Sequence, residues 1–141
     1  MFKELCLYLV LHFGAVDAST CEQVAHDAIQ MGAEKFVYDL LSISWHESRF
    51  DPSAVSGSFV GALQCNPKWA VECGEDCTEI QQAIHIFLKF KTKDRCIHIS
   101  RYMNGWSGTC DFRVQKRLIL ADKIKKLHSR IKRGKILVQQ P

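Results

Sequence analysis

Nowhere does the chain run apolar for the roughly 18 residues that would mark a membrane-spanning helix. It also has no internal repeat and no low-complexity linker. The first absence excludes a span of that kind, and the second excludes a repeat array. Metal-ligand spacing is missing as well. His26, His85, His98 and His128 stand alone, and Cys73-x-x-x-Cys77 has no second pair to complete a zinc site. No metal and no cofactor is therefore expected. Acidic residues are absent between Lys123 and Lys135, a stretch that holds Lys123, Lys125, Lys126, Arg130, Lys132, Arg133 and Lys135. What remains is 141 residues, 47% hydrophobic and 24% charged, with net charge +4. That suits one domain with its own core.

The first 18 residues read as an export signal. Lys3 gives a positive start, Leu5 to Val10 is apolar, and Val16-Asp17-Ala18 ends on a small residue before Ser19. Glu4 and His12 depart from that pattern; the alternative is a native first helix packed on the core. Cleavage after Ala18 would remove Cys6 and leave Cys21, Cys65, Cys73, Cys77, Cys96 and Cys110. An even number suits disulfides in an oxidising compartment, with the pairing left open. The alternative is reduced, buried thiols. The expected mature domain is 19–141, exported to the periplasm or the cell exterior, and ends in a basic segment from about 123 onward.

Periodicity predicts a mainly helical fold. Thr20 with Gln23 suggests a capping box before Val24, Ala25, Ala28 and Ile29, and Gly32 breaks that run. A second helix buries Phe36, Val37, Leu40, Leu41, Ile43 and Ser44 and ends near Ser48, ahead of Pro52. Residues 51–66 read as an ordered loop too polar for a core strand. Pro67 opens a short helix through Trp69, Ala70 and Val71, and Gly74 to Cys77 is a turn. Thr78 with Gln81 gives another cap before Ile80, Ala83, Ile84, Phe87 and Leu88. Residues 95–102 form a further helix, or alternatively a strand, ended by Gly105 and Gly108. The last helix runs from about Phe112 to Ile131, with Val114, Leu118, Ala121, Ile124 and Leu127 on one side.

Glu47 is the residue that points to chemistry. It ends the second helix in Trp45-His46-Glu47-Ser48-Arg49-Phe50, and flanking Trp45 and Phe50 predict poor solvation. Poor solvation disfavours the charged form and should raise the pKa. A carboxyl that stays protonated can give its proton to a leaving oxygen, as glycoside cleavage requires. Ser53, Ser56, Ser58 and Gln64 follow in the loop, and Tyr102-Met103-Asn104-Gly105 offers a phenol and an amide for the same cleft. His46 points to another helix face. Of the three tryptophans, Trp106 is the best cleft candidate, and the other two suit the core. Among later acids, Asp51 caps the loop, and Glu72, Glu75, Asp76 and Glu79 look solvated. No second carboxylate stands out, although a hydrolytic glycosidase needs one.

Glu47-Ser48-Arg49-Phe50-Asp51-Pro52-Ser53-Ala54-Val55-Ser56 resembles the E-S-x-F-[ND]-P-x-A-x-S signature of the lytic transglycosylases with a soluble-transglycosylase, lysozyme-like domain. Gly61-Ala62-Leu63-Gln64 with Pro67 resembles that family's G-L-M-Q-x-x-P segment, and Tyr102-Met103-Asn104-Gly105 its Y-N-x-G motif. The three motifs fall in the family's order over about residues 35 to 110. The chain departs in a loop one residue shorter, in Ala62-Leu63 for Leu-Met, and in the extra Met103. The resemblance implies an α+β lysozyme-like fold with a substrate cleft and a long ordered loop after the catalytic helix. It implies Glu47 as a single acid and then base, Tyr102 against Glu47 or the sugar, and Ser56, Gln64 and Asn104 as sugar-binding groups. The implied substrate is peptidoglycan, cut between N-acetylmuramic acid and N-acetylglucosamine with closure of a 1,6-anhydro ring. Small proteins of this type resemble accessories of secretion, conjugation or phage-infection machines, some of them virion-associated. Two alternatives are a muramidase of the same fold and a catalytically silent wall-binding protein. The basic C-terminal segment reads as a solvated face, or as an attraction to an anionic wall or membrane surface. Nucleic acid is not expected, because no aromatic residues are interleaved there.

Overall fold

Asp17, not Thr20, starts the helix that follows the first eighteen residues. Its carboxylate accepts from the Ser19 backbone N–H at 2.9 Å and from the Thr20 hydroxyl at 3.0 Å. Carboxylates are strong N-caps because they satisfy amides left free in the first turn. In this computed structural model, which describes residues 1–69 and 76–138, helix α1 spans Lys3–Phe13, α2 Ala18–Gln30 and α3 Val37–Ser48. A short 3-10 turn, Glu34–Phe36, joins the last two. A two-stranded antiparallel hairpin follows, β1 Val55–Ser56 paired with β2 Phe59–Val60. Then come α4 Ile80–Lys89, α5 Arg95–Asn104 and α6 Phe112–Lys132. Asp94 caps α5 and Asp111 caps α6 in the manner of Asp17. The fold is thus mainly helical, as the periodicity predicts.

Two further local expectations are corrected. The Thr78–Gln81 capping box does not form, because the Thr78 hydroxyl donates to Asp76 at 2.8 Å and Glu79 takes the N-cap position without a side-chain cap. Residues 95–102 are helix, as first expected, and not the alternative strand. The loop of residues 51–66 contains the β1–β2 hairpin, turned at Gly57 with φ 61°. The helix expected through Trp69 to Val71 is seen only as far as Trp69. Ala70, Val71, Cys73 and the Gly74 turn lie outside the described residues.

Residues 3–13 of the expected export segment form α1, which packs against α2 and α6. Leu5, Cys6 and Leu9 are fully buried there, beside Val24, Leu40, Leu41 and Ile124 of the same core. The disulfides are Cys6–Cys21, Cys65–Cys77 and Cys96–Cys110. The paired six therefore include Cys6, whereas the expected six included Cys73. Three such bridges fit an oxidising environment. No helix among the described residues is long and apolar enough to cross a membrane.

Candidate active site

The end of α3 is fixed by a left-handed turn. Arg49 has φ 56° and Phe50 φ 64°, so the chain leaves the helix sharply after Ser48 and buries Phe50 completely. The loop beyond is tied back to the helix it left. The buried Ser44 hydroxyl donates to the Ala62 carbonyl at 2.8 Å, and the Ser48 hydroxyl lies 2.6 Å from the same oxygen. Asp51 accepts from the Ser53 backbone and hydroxyl, as a loop cap should. Gly61, at φ 83°, lies so close to the Cys77 and Thr78 carbonyls that an added Cβ would sit 3.3 Å from the first. The Cys65–Cys77 bridge fastens the loop to that neighbouring strand of chain.

This loop forms one wall of a cleft of about 340 Å³, lined by Glu47, Ser56, Phe59, Gln64, Tyr102, Met103, Asn104, Arg113 and Arg117. All five residues expected from the sequence, Glu47, Ser56, Gln64, Tyr102 and Asn104, therefore face one space. Ser56 and Phe59 are cross-strand partners in the hairpin, which puts them on the same side. Asn104 ends α5, two positions beyond Tyr102, and Met103 lines the cleft with both. Among the described lining residues, Glu47 is the sole carboxylate.

The surroundings of Glu47 differ from the expected apolar flank. Trp45 turns away, its indole N–H donating to the Phe13 carbonyl at 3.0 Å and its face covered by the Arg49 guanidinium at 3.6 Å. Phe50 is spent in the core. Facing the carboxylate instead is Arg117 of α6, whose Nη2 donates to Glu47 Oε1 at 2.8 Å. Arg117 is 12% exposed and Glu47 23%, so the pair is largely shielded from water. Arg117 is itself positioned twice. Its backbone carbonyl accepts from the Ser42 hydroxyl at 2.6 Å, and its Nη1 donates to the Arg113 carbonyl at 2.7 Å.

Two of the expected sugar-binding groups hold the loop. The Gln64 amide nitrogen donates to the Ala54 and Gly61 carbonyls at 3.0 and 2.9 Å, leaving its side-chain oxygen as the unspent polar atom. The Tyr102 hydroxyl donates to the Leu63 carbonyl at 2.8 Å. Burial first, and then the Glu47 charge, push the phenol well above its ordinary range, so Tyr102 stays neutral. Having given its hydrogen to Leu63, it offers the cleft an acceptor only. His46 is half-buried beside Arg117. Burial, then the Arg117 charge, bring its pKa down to about 4, and its Nε2 has no hydrogen-bond partner among the described residues. Trp106, the expected cleft aromatic, packs on Phe90 with ring centroids 4.6 Å apart and planes tilted by 60°, and does not line the cleft. The left-handed Gly105, φ 87°, turns the chain away after Asn104.

Arg117 and Arg113 were absent from the sequence-based candidates. One signal could have found Arg117: it lies three residues after Val114 and four before Ala121, in the stripe that α6 buries, whereas exposed Arg113 gives none. A cation within an apolar stripe calls for a buried counter-charge. Among the described residues no cluster of His, Cys, Asp or Glu is arranged to hold a metal ion. No protein-family model, no curated protein and no solved structure matches the chain.

Proposed function

We propose that the chain is a peptidoglycan lytic transglycosylase, exported to the periplasm or cell exterior, with Glu47 acting alone as acid and then base. The observation that carries this reading is a single carboxylate among the described lining residues of a cleft that also presents Ser56, Gln64, Tyr102 and Asn104, the apolar Phe59 and Met103, and two arginines. A hydrolase would need a second carboxylate across the scissile bond. In the proposed cycle, Glu47 gives its proton to the glycosidic oxygen as the bond to the muramyl anomeric carbon breaks. The muramyl 6-hydroxyl oxygen then bonds to that carbon, and its proton returns to Glu47. Atoms balance without water, and the enzyme regains its starting state. Arg117 supplies the counter-charge for the carboxylate that exists between the two proton transfers. Ser56, Asn104 and the free oxygen of Gln64 provide hydrogen bonds to sugar hydroxyl and N-acetyl groups. Tyr102 shapes the wall of the cleft through Leu63.

Glu47→Gln tests the reading, because it removes the transferable proton and keeps the shape. The variant should fold, with a thermal midpoint lowered by loss of the Arg117 ion pair, and fail to clear a suspension of purified cell walls at a temperature where it stays folded. Clearance equal to the parent's would overturn the catalytic role of Glu47 and leave a wall-binding protein.

A further inference from the structure

A second cavity, of about 610 Å³, opens on the other half of the α3–α6 contact. Five cations line it: Lys35, Lys91, Lys93, Arg95 and Lys125. Two acids line it too, and both are spent on Arg95. Asp39, nearly buried, accepts from the guanidinium Nε and Nη2, and Asp122 accepts from Nη1 at 3.0 Å. These three bonds use three of the five N–H donors of Arg95 and fix its plane at the cavity wall. Among the described residues, none of the four lysines is in an ion pair. Lys35 lies against the Phe36 ring at 5.0 Å. Five positive charges against two negative leave a surplus of three.

Helix α3 contributes Asp39 to this cavity and Glu47 to the cleft, eight positions or about 12 Å apart along the axis. Helix α6 likewise gives Lys125 to one and Arg117 to the other. We propose that this cavity binds a phosphodiester-linked anionic polymer of the cell wall, held by the lysines as point charges around the fixed Arg95. A spaced array of flexible ammonium groups suits successive phosphates along a chain better than one carboxylate, which would need a free guanidinium fork. The three disulfides fit an oxidising environment, where, under the function proposed above, wall polymers rather than nucleic acid are met. The choice of polymer, though not the anion site, rests on the function proposed above.

The test is a binding titration of the intact, oxidised chain with poly(glycerol phosphate), read by calorimetry. Lys91→Gln/Lys93→Gln/Lys125→Gln should weaken binding at least about tenfold. Lys123→Gln/Lys126→Gln/Arg130→Gln removes the same charge from a groove beside Tyr8 and Phe13, and should change binding by less than about twofold. Binding should fall as salt rises from about 0.05 to about 0.3 M, since exposed charges are screened. Equal losses in the two triple variants would reduce the effect to net charge and overturn the site. So would unchanged binding in the first variant. An oligonucleotide of equal length binding as tightly, or inorganic phosphate displacing the polymer at equal phosphate concentration, would also overturn the assignment. Glu47→Gln should bind the polymer like the parent, so failure of the cleavage reading and failure of this one are separate results.

Discussion

Arg117 is the residue on which the candidate site turns. Removing a partner from a largely shielded ion pair leaves the other charge poorly compensated, which costs more than a surface pair is worth. Arg117→Ala should therefore lower unfolding stability by about 2 kcal/mol in urea titrations and reduce wall clearance strongly. The residue was hidden in the sequence because a cation on a mostly polar helix looks solvated, and its partner stands 70 positions earlier. Glu47 was legible for the opposite reason, since its neighbours in sequence form a dense local motif. The apolar surroundings inferred from Trp45 and Phe50 did not survive, because Trp45, two positions before Glu47, points to another face and the left-handed turn after Ser48 carries Phe50 into the core. His46 gives a pH-dependent prediction. Its folded pKa of about 4 lies below the ordinary 6.5, so folding favours the neutral ring. The unfolded chain binds more protons between those values, so stability is held above about pH 6.5 and lost as pH falls toward 4. Burial lowers His98 and His128 in the same sense. With partial exposure allowed for, His46→Gln should remove about 1–2 kcal/mol of the loss between pH 7 and pH 4.5. An unchanged pH dependence in the variant would contradict the placement of His46.

At the scale of elements, helices were easier to read than caps and hairpins. The apolar spacing of α2, α3 and α6 marked each helix to within a few residues. The start of α2 was missed because Asp17 caps it through its carboxylate while Thr20 with Gln23 looked equally good; α5 and α6 begin at Arg95 and Phe112 as expected, behind Asp94 and Asp111. The β1–β2 hairpin is only two residues a side and exposed along β1, so it has no alternating pattern to betray it. Ser44 and Ser48, four positions apart on α3, meet the Ala62 carbonyl and hold the loop against Glu47. Ser48→Ala should cost about 1 kcal/mol by loss of a hydrogen bond. Its effect on cleavage should be larger than on stability, because Ser56 and Gln64 ride on the same loop. Equal thermal and catalytic effects, after correction for the fraction folded, would argue against that tether.

For the whole molecule, the first helix is part of the core and is bonded to the second through Cys6–Cys21. Cys6→Ser should lower stability by roughly 3 kcal/mol, as expected for a closed loop of about fifteen residues. Truncation after Ala18 removes that bridge together with buried Leu5 and Leu9, and should cost more than Cys6→Ser alone. Calorimetric melting of the two variants checks the order. The sequence pointed to pairing from the number of cysteines, but an apolar run opening a chain resembles a core helix as closely as a leader. In this fold Cys6 is bridged to Cys21. The long-range arrangement that brings α5, α6 and the loop around Glu47 was likewise invisible to local pattern, although the residues it gathers had been named.

The central claim is that one carboxylate both gives and takes the proton. Mass spectrometry of purified peptidoglycan digested by the parent protein tests it most directly. The predicted result is muropeptides ending in 1,6-anhydromuramic acid, lacking the mass of one added water, with none released by Glu47→Gln. Products carrying reducing muramic acid ends would contradict the account, because they require water as nucleophile and a second catalytic group.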